Sequence, residues 1–183
     1  MIRWSVCTLL SAALLAGTVQ AQNKGKEVEV DGLKSKVPET WKGVETNSQF
    51  RAAQFTIPKV DGDVKDAELV VYFFGKGQGG GVDANIKRWQ QQIMPPEGKK
   101  IEDVMKKDTF KVGDVNVTEI ELQGTYEAPT FGGKQKPEKI SNARMIGVVF
   151  ESPNGPYYFK LVGPAKTVEA NKKGFDEWVK NFK

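Results

Sequence analysis

Five short stretches of this chain, apolar or partly alternating between apolar and polar positions, read as β-strands. They are FRAAQFTIP (50–58), AELVVYFF (67–74), VNVTEIELQGTY (115–126), ARMIGVVFE (143–151) and PYYFKLVG (156–163). In VNVTEIEL the apolar side changes partway. Val115 and Val117 share a side with Glu119 and Glu121, while Ile120 and Leu122 fall on the side of Asn116 and Thr118. A bulge or local twist is expected there. Val28, Val30 and Leu33 predict a short hairpin ahead of these runs. Ser152-Pro153-Asn154-Gly155 is a turn cluster and predicts an antiparallel hairpin, and Gly113-Asp114 predicts a second one.

Two other stretches carry the helical period. Val82, Ile86, Trp89 and Ile93 fall on one face, and Pro95-Pro96 stops that helix. Over 167–182, Val168, Phe175, Trp178, Val179 and Phe182 form an apolar stripe. Thr167 is the expected N-cap, and Lys180 and Lys183 suit the negative end of the helix dipole. Both stripes read as faces turned to a core. The order of elements predicts an α+β fold, an antiparallel β-sheet flanked by helices, in a single domain.

The first residues change where this domain is expected to work. MIRWSVCTLLSAALLAGTVQAQ has a positive start at Arg3, an apolar run to about Val19 and small residues at Val19 and Ala21. That is the layout of a cleaved secretory signal, with an uncleaved N-terminal anchor as the alternative. We therefore expect a signal peptide at 1–21, a mature domain at 22–183, and a periplasmic or secreted protein with no membrane span after signal removal. Cleavage takes away Cys7, the single cysteine, and with it disulfides, thiol nucleophiles and thiolate metal sites. It also takes away Arg3, lowering the formal net charge of +4 by one. The basic residues are interspersed with acids, which argues against a nucleic-acid surface.

Histidine is absent from the chain. Ser-His-Asp and Cys-His catalysis are excluded, as is any imidazole-held metal. Neutral-pH proton transfer would fall to shifted carboxylates, lysines or tyrosines. No catalytic residue, metal site or cofactor is predicted. The segment APTFGGKQKPEKIS (128–141) reads as a long mobile loop, solvated or open to an acidic partner.

One stretch invites a chemical reading. In GKGQGGGVDANIKRW (75–89), Gly75, Gly77 and Gly80 satisfy G-x-G-x-x-G between a strand and a helix. Hairpin order and export both argue against a dinucleotide site, which needs parallel β-α-β units. Two readings remain: a structural glycine corner, or an anion seat on the backbone amides of Gly79, Gly80 and Gly81 at the helix start, with Asn85 and Arg88 nearby. Asp83 stands where it would repel such an anion. Trp41, in VPETWKG, is a further candidate, either a core aromatic or the wall of a binding cleft.

Three segments together carry a resemblance: VPETWKG (37–43), FGKGQGGGVDANIKRW (74–89) and GPYYFKLVGPAKTV (155–168). They resemble a group of exported bacterial proteins of uncharacterised function, and the order of elements is similar to the Mog1/PsbP-type α/β/α sandwich. That resemblance implies an accessory or protein-binding module, as in photosystem extrinsic subunits or regulators of a small GTPase, and so an envelope protein partner and no enzymatic role. It assigns no functional residue. A small-ligand or anion binder using the Gly75–Gly81 corner is the alternative expectation.

Overall fold

The structure is a computed structural model that describes residues 26–129 and 137–183. The expected signal peptide and the middle of the 128–141 loop lie outside the described residues. Within the described residues, ten strands and two α-helices follow in order. They are β1 (Glu27–Val30), β2 (Leu33–Lys36), β3 (Lys42–Gly43), β4 (Arg51–Ile57), β5 (Ala67–Phe73), α1 (Val82–Gln90), β6 (Ile93–Met94), β7 (Met105–Val112), β8 (Val115–Glu127), β9 (Lys139–Glu151), β10 (Tyr157–Pro164) and α2 (Ala165–Lys180). β1 and β2 form a separate hairpin. The rest make one sheet in the order β3-β4-β5-β10-β9-β8-β6, with β7 also pairing β8. Each of these pairings is antiparallel. The α+β expectation and the hairpins at Gly113-Asp114 and 152–155 match this arrangement.

Alternation along the central strands divides the core in two. Phe159 and Leu161 of β10, with Ile146, Val148 and Phe150 of β9, face α2 and pack on Val168, Phe175, Trp178, Val179 and Phe182. Tyr158 and Val162 of β10, with Met145 and Val149 of β9, face the other way and pack on Ile86 and Trp89 of α1. One helix thus covers each face of the sheet. The α2 side is the more aromatic. Trp178 meets Trp41, Phe55 and Phe159 edge-on at centroid separations of 5.5, 6.3 and 5.5 Å, an arrangement worth about 0.5–1.5 kcal/mol per pair beyond area burial.

Two local expectations are corrected. Thr167 does not cap α2. The helix starts two residues earlier, and Asp63 caps it from outside, its Oδ2 accepting from the backbone N–H and the Oγ1 of Thr167 at 2.8 and 2.6 Å. The change of apolar side in β8 is not a bulge. Register runs unbroken with β7 from Val115 to Leu122 and with β9 from Asn116 to Gly124, and the irregularity falls later, between Gly124 and Tyr126. Glu119 and Glu121 stay on the α2 face because α2 and β9 bring cations to them. Lys172 Nζ lies 2.9 Å from Glu119 and 2.9 Å from Asp176, and Arg144 pairs with Glu121 and Glu169.

The helices cover their faces unequally. α2 has 16 residues and is joined on its side by the β1–β2 hairpin, whose Ser35 Oγ donates to Trp178 O at 2.7 Å. α1 has 9 residues, about 14 Å of helix. Seven strands abreast span roughly 30 Å. α1 lies over β8 and β9, and the same face of β4, β5 and β10 is left open beside it.

Candidate functional site

The position of α1 is set by a missing side chain. Gly147 sits in the middle of β9, and a Cβ there would lie 2.5 Å from Trp89 Cε3 and 2.6 Å from Cζ3. The indole therefore rests directly on the sheet backbone. Directly across from Gly147 in the register is Lys160 of β10. Its side chain emerges on the α1 face just where the helix stops covering it.

A cavity of about 320 Å³ opens there, between α1 and the uncovered strands. That is the lower end of the range for small-ligand sites. Its apolar lining is aromatic: Phe50, Tyr72, Phe74, Trp89 and Tyr158. Tyr72 and Phe74 stack in parallel, 5.9 Å apart and 4° from coplanar, and Phe74 meets Phe50 at 5.4 Å and Tyr158 at 5.8 Å. Among the described residues three cations line it as well, at graded depth. Arg88 is exposed at the rim, Arg51 is half-buried, and Lys160 at the floor is 9 % exposed. No Asp or Glu is among the lining residues.

Lys160 is the unusual group. Its Nζ donates to Gln92 Oε1 at 3.3 Å and to the Tyr126 hydroxyl at 3.2 Å, both neutral. It makes no ion pair. Every Asp and Glu of the chain lies among the described residues, so a hidden carboxylate partner is excluded. Burial holds its amine below the ordinary lysine value, partly offset by the charge of Glu68, while Arg51 lowers it further. The phenols nearby shift the other way. Burial raises Tyr72 and Tyr158 and pushes Tyr126 up to about 12, so all three stay protonated at neutral pH.

The glycine corner serves this site as scaffold. Asn85, 2 % exposed, turns its Nδ2 onto the carbonyl oxygens of Gly79, Gly80 and Gly81 at 3.0, 3.2 and 3.0 Å. The Tyr158 hydroxyl donates to Gly80 O at 2.5 Å. Gly79 is required twice over: its φ is +79°, and a Cβ would fall 2.7 Å from the Tyr158 ring. The inward polar groups of the corner are thus carbonyls already taken by two cleft residues. Asn85 Oδ1 in turn accepts from Arg88 Nη1 at 2.6 Å, which holds the guanidinium at the rim.

Of the six residues the sequence singled out, the structure brings Asn85 and Arg88 into the cleft and sets Gly79, Gly80 and Gly81 behind them. Trp41 belongs elsewhere. It is 3 % exposed on the α2 side, with Nε1 donating to Asn171 Oδ1 at 3.2 Å, and cannot line this cleft. Sequence reasoning missed Arg51, Tyr72, Phe74, Tyr126, Tyr158 and Lys160. One signal was present: Lys160 is the only charge inside YYFKLVG, a strand apolar on both faces. The acidic turn at Asp61-Gly62-Asp63 serves as the cap of α2 through Asp63.

Among the described residues no group of three His, Cys, Asp or Glu side chains is placed to hold a metal. No described helix is long and apolar enough to cross a membrane. No protein-family model matches the chain, and no curated protein is similar to it.

Proposed function

We propose that this is an exported ligand-binding module of the Mog1/PsbP type, active in the periplasm or outside the cell, whose cleft beside α1 takes a small organic anion with an aromatic or apolar body. The observation that carries this reading is the cleft lining: five aromatic rings and three cations, with no acid among them. An aromatic body gains from burial against Tyr72, Phe74 and Trp89. An anionic group gains from Arg88 and Arg51, whose planar forks suit carboxylate and phosphate. Leaving Lys160 without a counter-charge costs the empty protein stability, as is common where a site is built for a ligand. The accessory role with an envelope protein partner is the second reading, favoured by Phe50, a large apolar side chain 44 % exposed at the cleft.

A thermal-shift series with benzoate, phenyl phosphate and neutral benzyl alcohol tests the first reading. A ligand at about one hundred times its Kd adds about 2.7 kcal/mol to stability. The two anions should raise Tm and benzyl alcohol should not, and Arg88→Ala together with Arg51→Ala should remove the shift. No shift with either anion, alongside one reproducible partner in a pull-down from envelope extract, would favour the accessory role instead.

A further inference from the structure

We propose that Lys160 captures aldehydes or ketones covalently, its Nζ forming a reversible imine at the floor of the cleft. This rests on the ligand-binding reading above and deepens it, naming the ligand class as an organic anion that also carries a carbonyl group.

Three features of the geometry converge on it. The amine is buried yet opens onto a cavity large enough for a small aromatic molecule. Its two hydrogen-bond partners, Gln92 Oε1 and the Tyr126 hydroxyl, hold the nitrogen without neutralising a charge. The two guanidiniums stand nearer the opening, so an anionic end paired with them leaves the other end of the ligand pointing at the amine. The charged groups acting on Lys160 are Glu68, on β5 beside β10, and Arg51, on β4 one strand further out. Burial acts in the same direction as the geometry, because it favours the free amine, the form that has a lone pair to give.

The chemistry balances within the site. The lone pair of Nζ attacks the carbonyl carbon, and the C=O π pair moves to oxygen. The nitrogen loses a proton and the oxygen gains one, giving a carbinolamine. Loss of the hydroxyl as water, with a proton supplied by the Tyr126 phenol and returned from nitrogen, leaves C=N. The net change is one carbonyl compound plus one amine to one imine plus one water. Tyr126, protonated throughout the neutral range, is 3.2 Å from the nitrogen and suited to both transfers.

The test uses 4-formylbenzoate with cyanoborohydride near neutral pH, and peptide mass mapping of the reduced product. 4-Methylbenzoate, which has the anion and ring but no carbonyl, is the competitor and the separate probe of binding. One adduct per chain is expected, on Lys160, formed at least about tenfold faster than on exposed Lys173, because binding in the cleft holds the carbonyl beside the amine. Lys160→Arg keeps the charge and should lose the adduct, and 4-methylbenzoate should slow its formation in the wild type. Tyr126→Phe should slow capture while leaving 4-methylbenzoate affinity in place. If 4-methylbenzoate binds but adducts spread over exposed lysines and spare Lys160, the covalent inference is overturned and the binding site stands. If 4-methylbenzoate does not bind and Lys160 stays unmodified, both fail together.

Discussion

Gly147→Ala is the sharpest structural perturbation, because it adds one methyl group at the contact that fixes α1. The added Cβ would lie 2.5, 2.6 and 2.9 Å from three atoms of the Trp89 ring, about 1 Å short of ordinary contact. The indole must retreat, and the helix that carries it must retreat with it. Overpacking of this kind costs about 1–3 kcal/mol. Removing a glycine from the unfolded chain returns about 0.4–1 kcal/mol. The expected net loss is about 1–2 kcal/mol, a fall in Tm of roughly 2–8 °C for a domain of this size. Urea unfolding followed by circular dichroism reads the loss, and Trp89→Leu supplies the control. In that background the methyl meets a smaller side chain, so the cost of Gly147→Ala should largely disappear in the double-mutant cycle. A Gly147→Ala protein as stable as the wild type, or a cost that persists unchanged in the Trp89→Leu background, would refute the placement of α1 and so of the cleft it bounds.

Other outcomes follow from the same contacts. Lys160→Met removes a buried charge but strands Gln92 and Tyr126, and should leave the empty protein between equally stable and about 2 kcal/mol more stable, by chemical denaturation, while weakening anion binding. The pH dependence has a definite sign. Lys160 binds its proton more weakly folded than unfolded, so between its depressed value and about 10.4 the unfolded chain holds more protons, and wild-type stability should rise with pH relative to Lys160→Met. Asn85→Ala strips three carbonyls of their shared donor and frees Arg88, and should cost about 1–3 kcal/mol in a melt along with anion affinity. Asp63→Ala removes the external cap of α2 and should cost about 1–2 kcal/mol without touching the cleft, a contrast that ligand titration of the same variant reads directly.

Much of the architecture was legible because period survives in the sequence. The runs at 67–74 and 143–151 reflect burial on both faces of the sheet, and the helical stripes from Val82 and Val168 reflect burial on one. The cleft was less legible, for a physical reason. Its residues come from β4, β5, α1 and β10, and only the pairing of Lys160 with Gly147 and Val70 brings them together. The glycine motif lies at the corner of the cleft, beside Asn85 and Tyr158. Its carbonyls, held by Asn85 and Tyr158, face the site. Glu119 and Glu121 misled for a related reason: two carboxylates on a core-facing side are explained only by Lys172 and Arg144, contributed by α2 and β9.

The three tryptophans of the described chain offer the most direct test of the cleft. Trp89 lines it, whereas Trp41 and Trp178 are packed on the opposite face of the sheet. In a two-dimensional NMR spectrum of protein labelled with 15N-tryptophan, titration with benzoate or phenyl phosphate should move the Trp89 indole N–H and leave those of Trp41 and Trp178 in place. Movement of Trp41 or Trp178 with Trp89 unchanged, or no movement with either anion, would contradict a ligand site beside α1.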